Sequence, residues 1–216
     1  MKNNGISVIC VDLNETLVKE QTWPELNFAM GMTPEEDSFF YNQHKEGKIT
    51  YSEWVNLALD IYRERGNPTK EAVEDIIMNY TYYPFAKELI EYLQQKYTVI
   101  LISGAMDLLV QKIAAELKIE YFKSLTKFHF DRSGYISKVS VDDRTGDEAE
   151  NKVLYLQDFC GILGFQLENV SSIGDGGNDH QLFRKTKGIT FNRAKKEHKQ
   201  LAWKIVPGLK EITEIL

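Results

Sequence analysis

The chain's apolar runs end in residues that can do chemistry. Asp12 follows residues 6–11, a β-branched run, and Ser103-Gly104 follows the apolar residues 98–102. Asp175 and Asp179 follow residues 170–173, inside the turn Gly174-Asp175-Gly176-Gly177-Asn178-Asp179. A hydrophobic core has no use for a carboxylate at such a place. Carboxylates gathered around one point repel one another unless a cation sits among them, and hard oxygen donors favour Mg²⁺. The glycines let backbone approach a ligand closely. Ser103 offers a hydroxyl, and Gly104 an exposed N–H at an expected helix start, which together make a phosphate seat. Lys152, ahead of a helical run, can reach in to neutralise both a nucleophile and a transferring phosphoryl group. Metal, lysine and amide donors are what phosphoryl transfer demands, because its catalysis is mainly positioning and charge stabilisation.

Those residues meet only if the elements bring them together. Residues 98–102 are continuously apolar, as in a strand buried on both faces of a parallel sheet. Helical patterns over 85–96, 108–117 and 153–163 alternate with strand patterns over 6–11, 98–102, 170–173 and 188–191, and a helix starts over 181–185. Residues 125–130 and 135–141 flank Asp131-Arg132-Ser133-Gly134 and read as a hairpin. The alternation predicts an α/β fold, a Rossmann-like doubly wound, mostly parallel sheet, in which ligands collect at the carboxyl ends of the strands. Between the first strand and residue 83 the pattern is helical. Thr33-Pro34-Glu35-Glu36 and Thr50-Tyr51-Ser52-Glu53 each begin a helix with a capping threonine, and Gly66-Asn67-Pro68-Thr69 ends one helix and caps the next. The expected organisation is a core of residues 1–16 and 83–216 with a helical cap at 17–82.

Of the 216 residues, 43% are apolar, enough for a sizeable core, and the net charge is -6. An acidic chain lacks the basic face of a general nucleic-acid binder, so any phosphate site must be built locally. No apolar run is long enough to span a membrane, and the N-terminus lacks the pattern of a signal peptide. Cys10 and Cys160 lack metal-ligand spacing and read as buried thiols. The expected setting is cytoplasmic, with no membrane and no nucleic-acid partner.

The motifs resemble those of the haloacid dehalogenase (HAD) superfamily. Residues 8–17, with Asp12, Asn14 and Thr16, resemble its first motif, hhhhDxDxT. Ser103-Gly104 resembles the second, Lys152 the third, and Gly174-Asp175-Gly176-Gly177-Asn178-Asp179 the fourth, in order from residue 6 to about 191. The helical insertion and the hairpin before Lys152 are similar to the phosphoserine phosphatase-like branch, which carries a helical C1-type cap. The resemblance implies a Mg²⁺-dependent phosphatase acting on a small phosphorylated metabolite, phosphoserine being the first guess. It implies attack by Asp12 to give an aspartyl-phosphate. The metal would be held by Asp12, the main-chain carbonyl of Asn14 and Asp175, with Asp179 in support. Ser103 and Lys152 would hold the phosphoryl oxygens, and Asn178 would order the loop or touch substrate.

The departure from the family is Asn14. The usual second aspartate protonates the leaving group and then activates water, and an amide does neither. General acid–base catalysis contributes about 10²–10⁴-fold. A weakly hydrolytic or inactive phospho-ligand binder, and a phosphotransferase that passes the group to another acceptor, are therefore alternatives. Glu15 would point elsewhere on an extended backbone, and His180 is another stand-in for the missing group. Lys127 and Lys138 rival Lys152 as the lysine of the site. In the cap, Glu20, Arg63 and Arg65 are candidates to recognise a substrate's charged groups, against the ordinary alternative of solvated helix charges. The cap aromatics are expected mostly to pack.

Overall fold

The computed structural model describes residues 5–216. At its centre is β1 (Val8–Val11), four consecutive buried residues. β2 (Thr98–Met106) and β5 (Val170–Ile173) pair with it in parallel on either side, with Val11 opposite Leu101 and Ile173. The remaining strands are β3 (Tyr121–Phe130), β4 (Ile136–Val141), β6 (Lys187–Phe191) and β7 (Lys204–Val206). They complete a seven-stranded sheet in the order β4-β3-β2-β1-β5-β6-β7, parallel except for the β3–β4 hairpin. This is the α/β architecture that the alternating pattern predicts.

Side-chain alternation divides the core into two layers. Ile9, Val11, Val99 and Leu101 face α5 (Ala86–Gln94) and α6 (Asp107–Glu116). Val8, Cys10, Ile100 and Ile102 face α7 (Glu148–Leu163) and α8 (His180–Lys185). Both cysteines are buried free thiols. Since both faces of β1 and β2 are covered, polar groups can be accommodated only at the strand ends.

Four helices lie between β1 and α5: α1 (Thr22–Ala29), α2 (Pro34–Lys45), α3 (Tyr51–Arg65) and α4 (Lys70–Ile77). The two chain passages that lead into and out of them run side by side, through Lys19 N–H to Thr81 C=O (3.0 Å) and Tyr83 N–H to Leu17 C=O (2.9 Å). Thr33 and Thr50 each close a reciprocal capping box, with Glu36 and Glu53. The far end of this layer is fastened to the hairpin, where Ile136 N–H donates to Pro68 C=O and Lys70 N–H to Gly134 C=O, both at 2.8 Å.

One expectation moves. Ser103-Gly104 does not start a helix: β2 continues to Met106 and α6 begins at Asp107. A register shift between Ser103 and Met106 bends the strand there, as a bulge does. The apolar run stops at residue 102 because the strand enters the site, not because it ends. Among the described residues no helix is long and apolar enough to cross a membrane.

Candidate active site

The register of the central strands decides where the polar groups meet. Asp12 leaves β1 with its N–H on Ile173 C=O (2.9 Å), which sets it level with Gly174. Gly174 has no side chain, and the space where one would stand holds the Asp179 carboxylate. Any larger residue would push that carboxylate out. Gly176, at φ 101°, turns the loop back. The carboxylates of Asp12, Asp175 and Asp179 thereby bring donor oxygens within 4.8 Å of one another.

Lys152 enters from α7 and is wholly buried. Its Nζ donates to Asp12 Oδ1 at 2.7 Å, Asp179 Oδ1 at 2.8 Å and Asn178 Oδ1 at 2.5 Å. Burial alone would pull this amine down, but Asp12, Asp179 and Glu148 hold it above its ordinary pKa and keep it charged. Lys127 and Lys138 lie exposed on β3 and β4.

Asp12 is buried and pushed up to about 8 by desolvation, with Asp179 and Asp175 adding to the shift and Lys152 opposing it. Asp175 is pushed up to about 6 by burial, then by Asp179 and Glu15. Both shifts come first from burial and are enlarged because three carboxylates face a single lysine. A divalent cation would balance that charge, and an all-oxygen donor set suits Mg²⁺. The residues therefore fit the metal that the acidic turns suggest.

The Asn14 amide is engaged by Thr22, the first residue of α1. Its Nδ2 donates to Thr22 Oγ1 at 3.1 Å, and the same hydroxyl can donate back to Oδ1 at 3.5 Å. Glu15 has φ 53°, so the backbone is left-handed rather than extended there, and its carboxylate accepts from Gln21. Ser103 is buried, with its Oγ accepting from Ala105 N–H at 3.1 Å. Gly104 C=O accepts from Trp23 Nε1 at 3.1 Å, which couples α1 to the bend in β2.

A cavity of about 700 Å³ opens above these groups. Asp12, Asn14, Ser103, Gly104, Asp175 and Asn178 form its floor, and Trp23, Tyr41, His44, Tyr51 and Trp54 stand on the α1–α3 side. His180 also lines it. The cap charges are elsewhere. Glu20 accepts from Thr81 N–H at 2.8 Å and ties the crossing passages together. Arg65 pairs with Glu36 at 2.8 Å, and Arg63 donates to Ser137 C=O at 2.7 Å. None of the three lines the cavity.

Several cavity residues escaped the reading of motifs, Lys195, Glu197, His198 and Glu148 among them. Glu148, at the start of α7, lies four residues before Lys152 and so on the same helix face. It accepts from Asn178 Nδ2 at 2.7 Å, and its carboxylate fills the space beside Gly104 where a Cβ would stand. The i, i+4 spacing to Lys152, just after the N-cap Asp147, is the signal that could have identified it.

A family model described as haloacid dehalogenase-like hydrolase matches residues 9–184. A phosphoserine phosphatase from Methanocaldococcus jannaschii is 28% identical over 188 residues, covering 82% of this chain and 81% of that protein. Among solved structures, a phospho-aspartyl intermediate analogue of phosphoserine phosphatase aligns at a TM-score of 0.78 and 25% identity, covering 98% of this chain and 99% of that one. A substrate-bound phosphoserine phosphatase complex gives the same TM-score at 24% identity, covering 98% of each chain, and so speaks to the fold alone. Family match, sheet order and the grouping of Asp12, Lys152, Asp175 and Asp179 agree: the chain belongs to the haloacid dehalogenase-like hydrolases, in the phosphoserine phosphatase-like branch.

Proposed function

We propose that this chain is a Mg²⁺-dependent phosphatase of small phosphomonoesters that works through an aspartyl-phosphate on Asp12. The observation that carries the reading is the buried contact of Lys152 with Asp12 and Asp179 beside a third carboxylate, Asp175. Asp12 Oδ1 is taken by Lys152, and Oδ2 has no hydrogen-bond partner among the described residues. A free oxygen on an oriented carboxylate suits nucleophilic attack. Asp12, the Asn14 carbonyl, Asp175 and Asp179 would hold the ion, which would draw charge from the phosphoryl oxygens.

In the first step Asp12 oxygen attacks phosphorus, and the ester P–O bond breaks with its electron pair leaving on the alcohol oxygen, which takes up a proton. In the second, water attacks phosphorus and loses a proton, and the acyl-phosphate P–O bond breaks to return the Asp12 carboxylate. Ser103 and Lys152 hold the phosphoryl oxygens in both. Closure by the helical layer over residues 17–82 excludes bulk water.

Asn14 favours a second reading of the rate. With its amide committed to Thr22, no acid–base group stands at that position, and breakdown of the acyl-phosphate is slow. A long-lived acyl-phosphate would also allow transfer to another acceptor. The test is phosphate release from an aryl phosphate and from phosphoserine, with and without Mg²⁺, in the natural chain, Asn14→Asp and Asp12→Asn. We expect metal-dependent release by the natural chain, a gain of about 10²–10⁴-fold in Asn14→Asp, and none in Asp12→Asn. Release that survives Asp12→Asn, or none from either other protein despite intact folding, would overturn the reading.

A further inference from the structure

With Asn14 in place of an acid, the departing alcohol must take its proton from another group, and Glu148 is a carboxyl that neither the nucleophile nor the metal set uses. It lies four residues before Lys152 on the same face of α7, about one helical turn, roughly 6 Å, along the axis. Lys152 is wholly buried, whereas Glu148, one turn earlier, reaches the cavity.

We propose that Glu148 is the general acid of the first step, donating a proton from its Oε2 to the alcohol oxygen as that oxygen leaves phosphorus. This rests on the phosphatase reading and deepens it by assigning the proton that Asn14 cannot give.

Geometry is the first argument. Attacking and leaving oxygens lie roughly in line through phosphorus. With Asp12 on the floor, the leaving oxygen therefore points into the cavity that Glu148 lines. Asn178 fixes the acid to the nucleophile's own support: its Oδ1 accepts from Lys152 Nζ at 2.5 Å, and its Nδ2 donates to Glu148 Oε1 at 2.7 Å. The bare Cα of Gly104 leaves the room that this carboxyl fills. Oε2 has no hydrogen-bond partner among the described residues, so it is the oxygen free to carry a proton.

The surroundings of Glu148 supply the second argument. Burial raises its pKa, and Asp179 adds to the shift, while Lys152, the Asn178 amide and His44 work against it. Tyr51, on α3, also faces it. A bound phosphate, itself anionic, would raise it further. A carboxyl held above its ordinary range keeps the proton that it has to give. In the step itself the P–O bond breaks with its electron pair going to the alcohol oxygen, the Glu148 O–H bond breaks, and the alcohol O–H bond forms. Glu148 is left as a carboxylate and recovers its proton from solvent.

Other titratable side chains at the cavity have other occupations. Glu15 accepts from Gln21. His44 stacks on Trp54 and has its Nδ1 3.2 Å from Ile49 C=O. Tyr51 meets Thr126, and burial pushes its hydroxyl far up. His198 lies against Gly176, at the turn that carries the metal carboxylates.

The test uses 4-nitrophenyl, phenyl and benzyl phosphate with the full chain in Mg²⁺. The three share a ring and differ in how readily the oxygen leaves without a proton. The readout is kcat/KM, which covers events up to departure of the alcohol and so is not hidden by slow breakdown of the acyl-phosphate. Glu148→Gln, which keeps an acceptor for Asn178, should lower it for benzyl phosphate by about 10²–10⁴-fold, for phenyl phosphate by less, and for the nitrophenyl ester least. Glu148→Asp draws the carboxyl back by one methylene and should show the same order of losses at smaller size. Inhibition by inorganic phosphate should change little in either variant, which separates a lost proton from a disturbed site. Equal losses for the three esters, or no loss for benzyl phosphate, would overturn the proposal and leave the phosphatase reading in place. Absence of metal-dependent turnover in the natural chain would overturn both.

Discussion

Lys152, on the floor of the cavity, is 0% exposed and bonded to three side chains. Tyr41, on the opposite wall, is 46% exposed and meets Trp54 edge-on. The floor comes from strand ends and one helix whose positions the sheet register fixes. The wall comes from α1–α3, a layer fastened by two crossing passages and the hairpin contacts of Pro68 and Gly134. Charges that must meet to within a few tenths of an ångström need the rigid support. Rings that need only present a face to a ligand do not. On the proposed function, chemistry falls to the core and selection to the insertion. Glu148 is a core residue that faces the wall.

The largest effect that would break this contrast is on the floor. Lys152→Met leaves the buried Asp12, Asp175 and Asp179 carboxylates without their cation. Removing one partner of such a pair costs about 3–5 kcal/mol. Urea unfolding in a chelator should show that loss, and Mg²⁺ should recover part of it by supplying the missing charge. A loss below about 1 kcal/mol would mean that the carboxylates escape by binding protons.

A smaller effect sharpens the same point. In the metal-free site Asp12 is pushed up to about 8 and Asp175 to about 6. A bound cation needs both ionised, so metal and protons compete. Raising the pH removes the protons and favours the metal. The apparent Mg²⁺ affinity should therefore rise between the two values by up to about tenfold per pH unit for each proton displaced. It should flatten once Asp12 is ionised. Calorimetry in buffers of different ionisation enthalpy counts the protons released. An affinity flat across that window would show that the carboxylates are already ionised and the cluster needs no further charge.

The floor was legible in the sequence because its chemistry is local. Asp12, Ser103, Asp175 and Asp179 each stand at or near the end of an apolar run, and strand ends in a doubly wound sheet share one edge. Thr33 and Thr50 announced their helices because a capping box is complete within four residues. The extension of β2 to Met106 was hidden, since Ser103-Gly104 reads locally as a stop while pairing with β3 carries the strand onward. Glu148 was hidden for a different reason. Its meaning depends on Asn178, Gly104 and the aromatic layer, which are far from it in sequence. Glu20 and Arg65 looked like substrate ligands by branch resemblance, and only the three-dimensional pairing of Arg65 with Glu36 gives that arginine another occupation.

That occupation gives the smallest expected effect. Glu36 already accepts from Thr33 N–H at 2.9 Å in the capping box of α2, so the helix start does not depend on Arg65. Both side chains of the pair are partly exposed, and exposed substitutions of this kind change stability little. Arg65→Ala should leave the thermal midpoint nearly unchanged and keep KM for phosphoserine within about twofold, since Arg65 lies outside the cavity. A large rise in KM with kcat preserved would have a definite structural meaning. It would show that α2 and α3 rearrange on binding, freeing Arg65 from Glu36 to reach the substrate. The contrast between a fixed floor and a passive wall would then give way to one in which the insertion contributes a charged ligand only when closed.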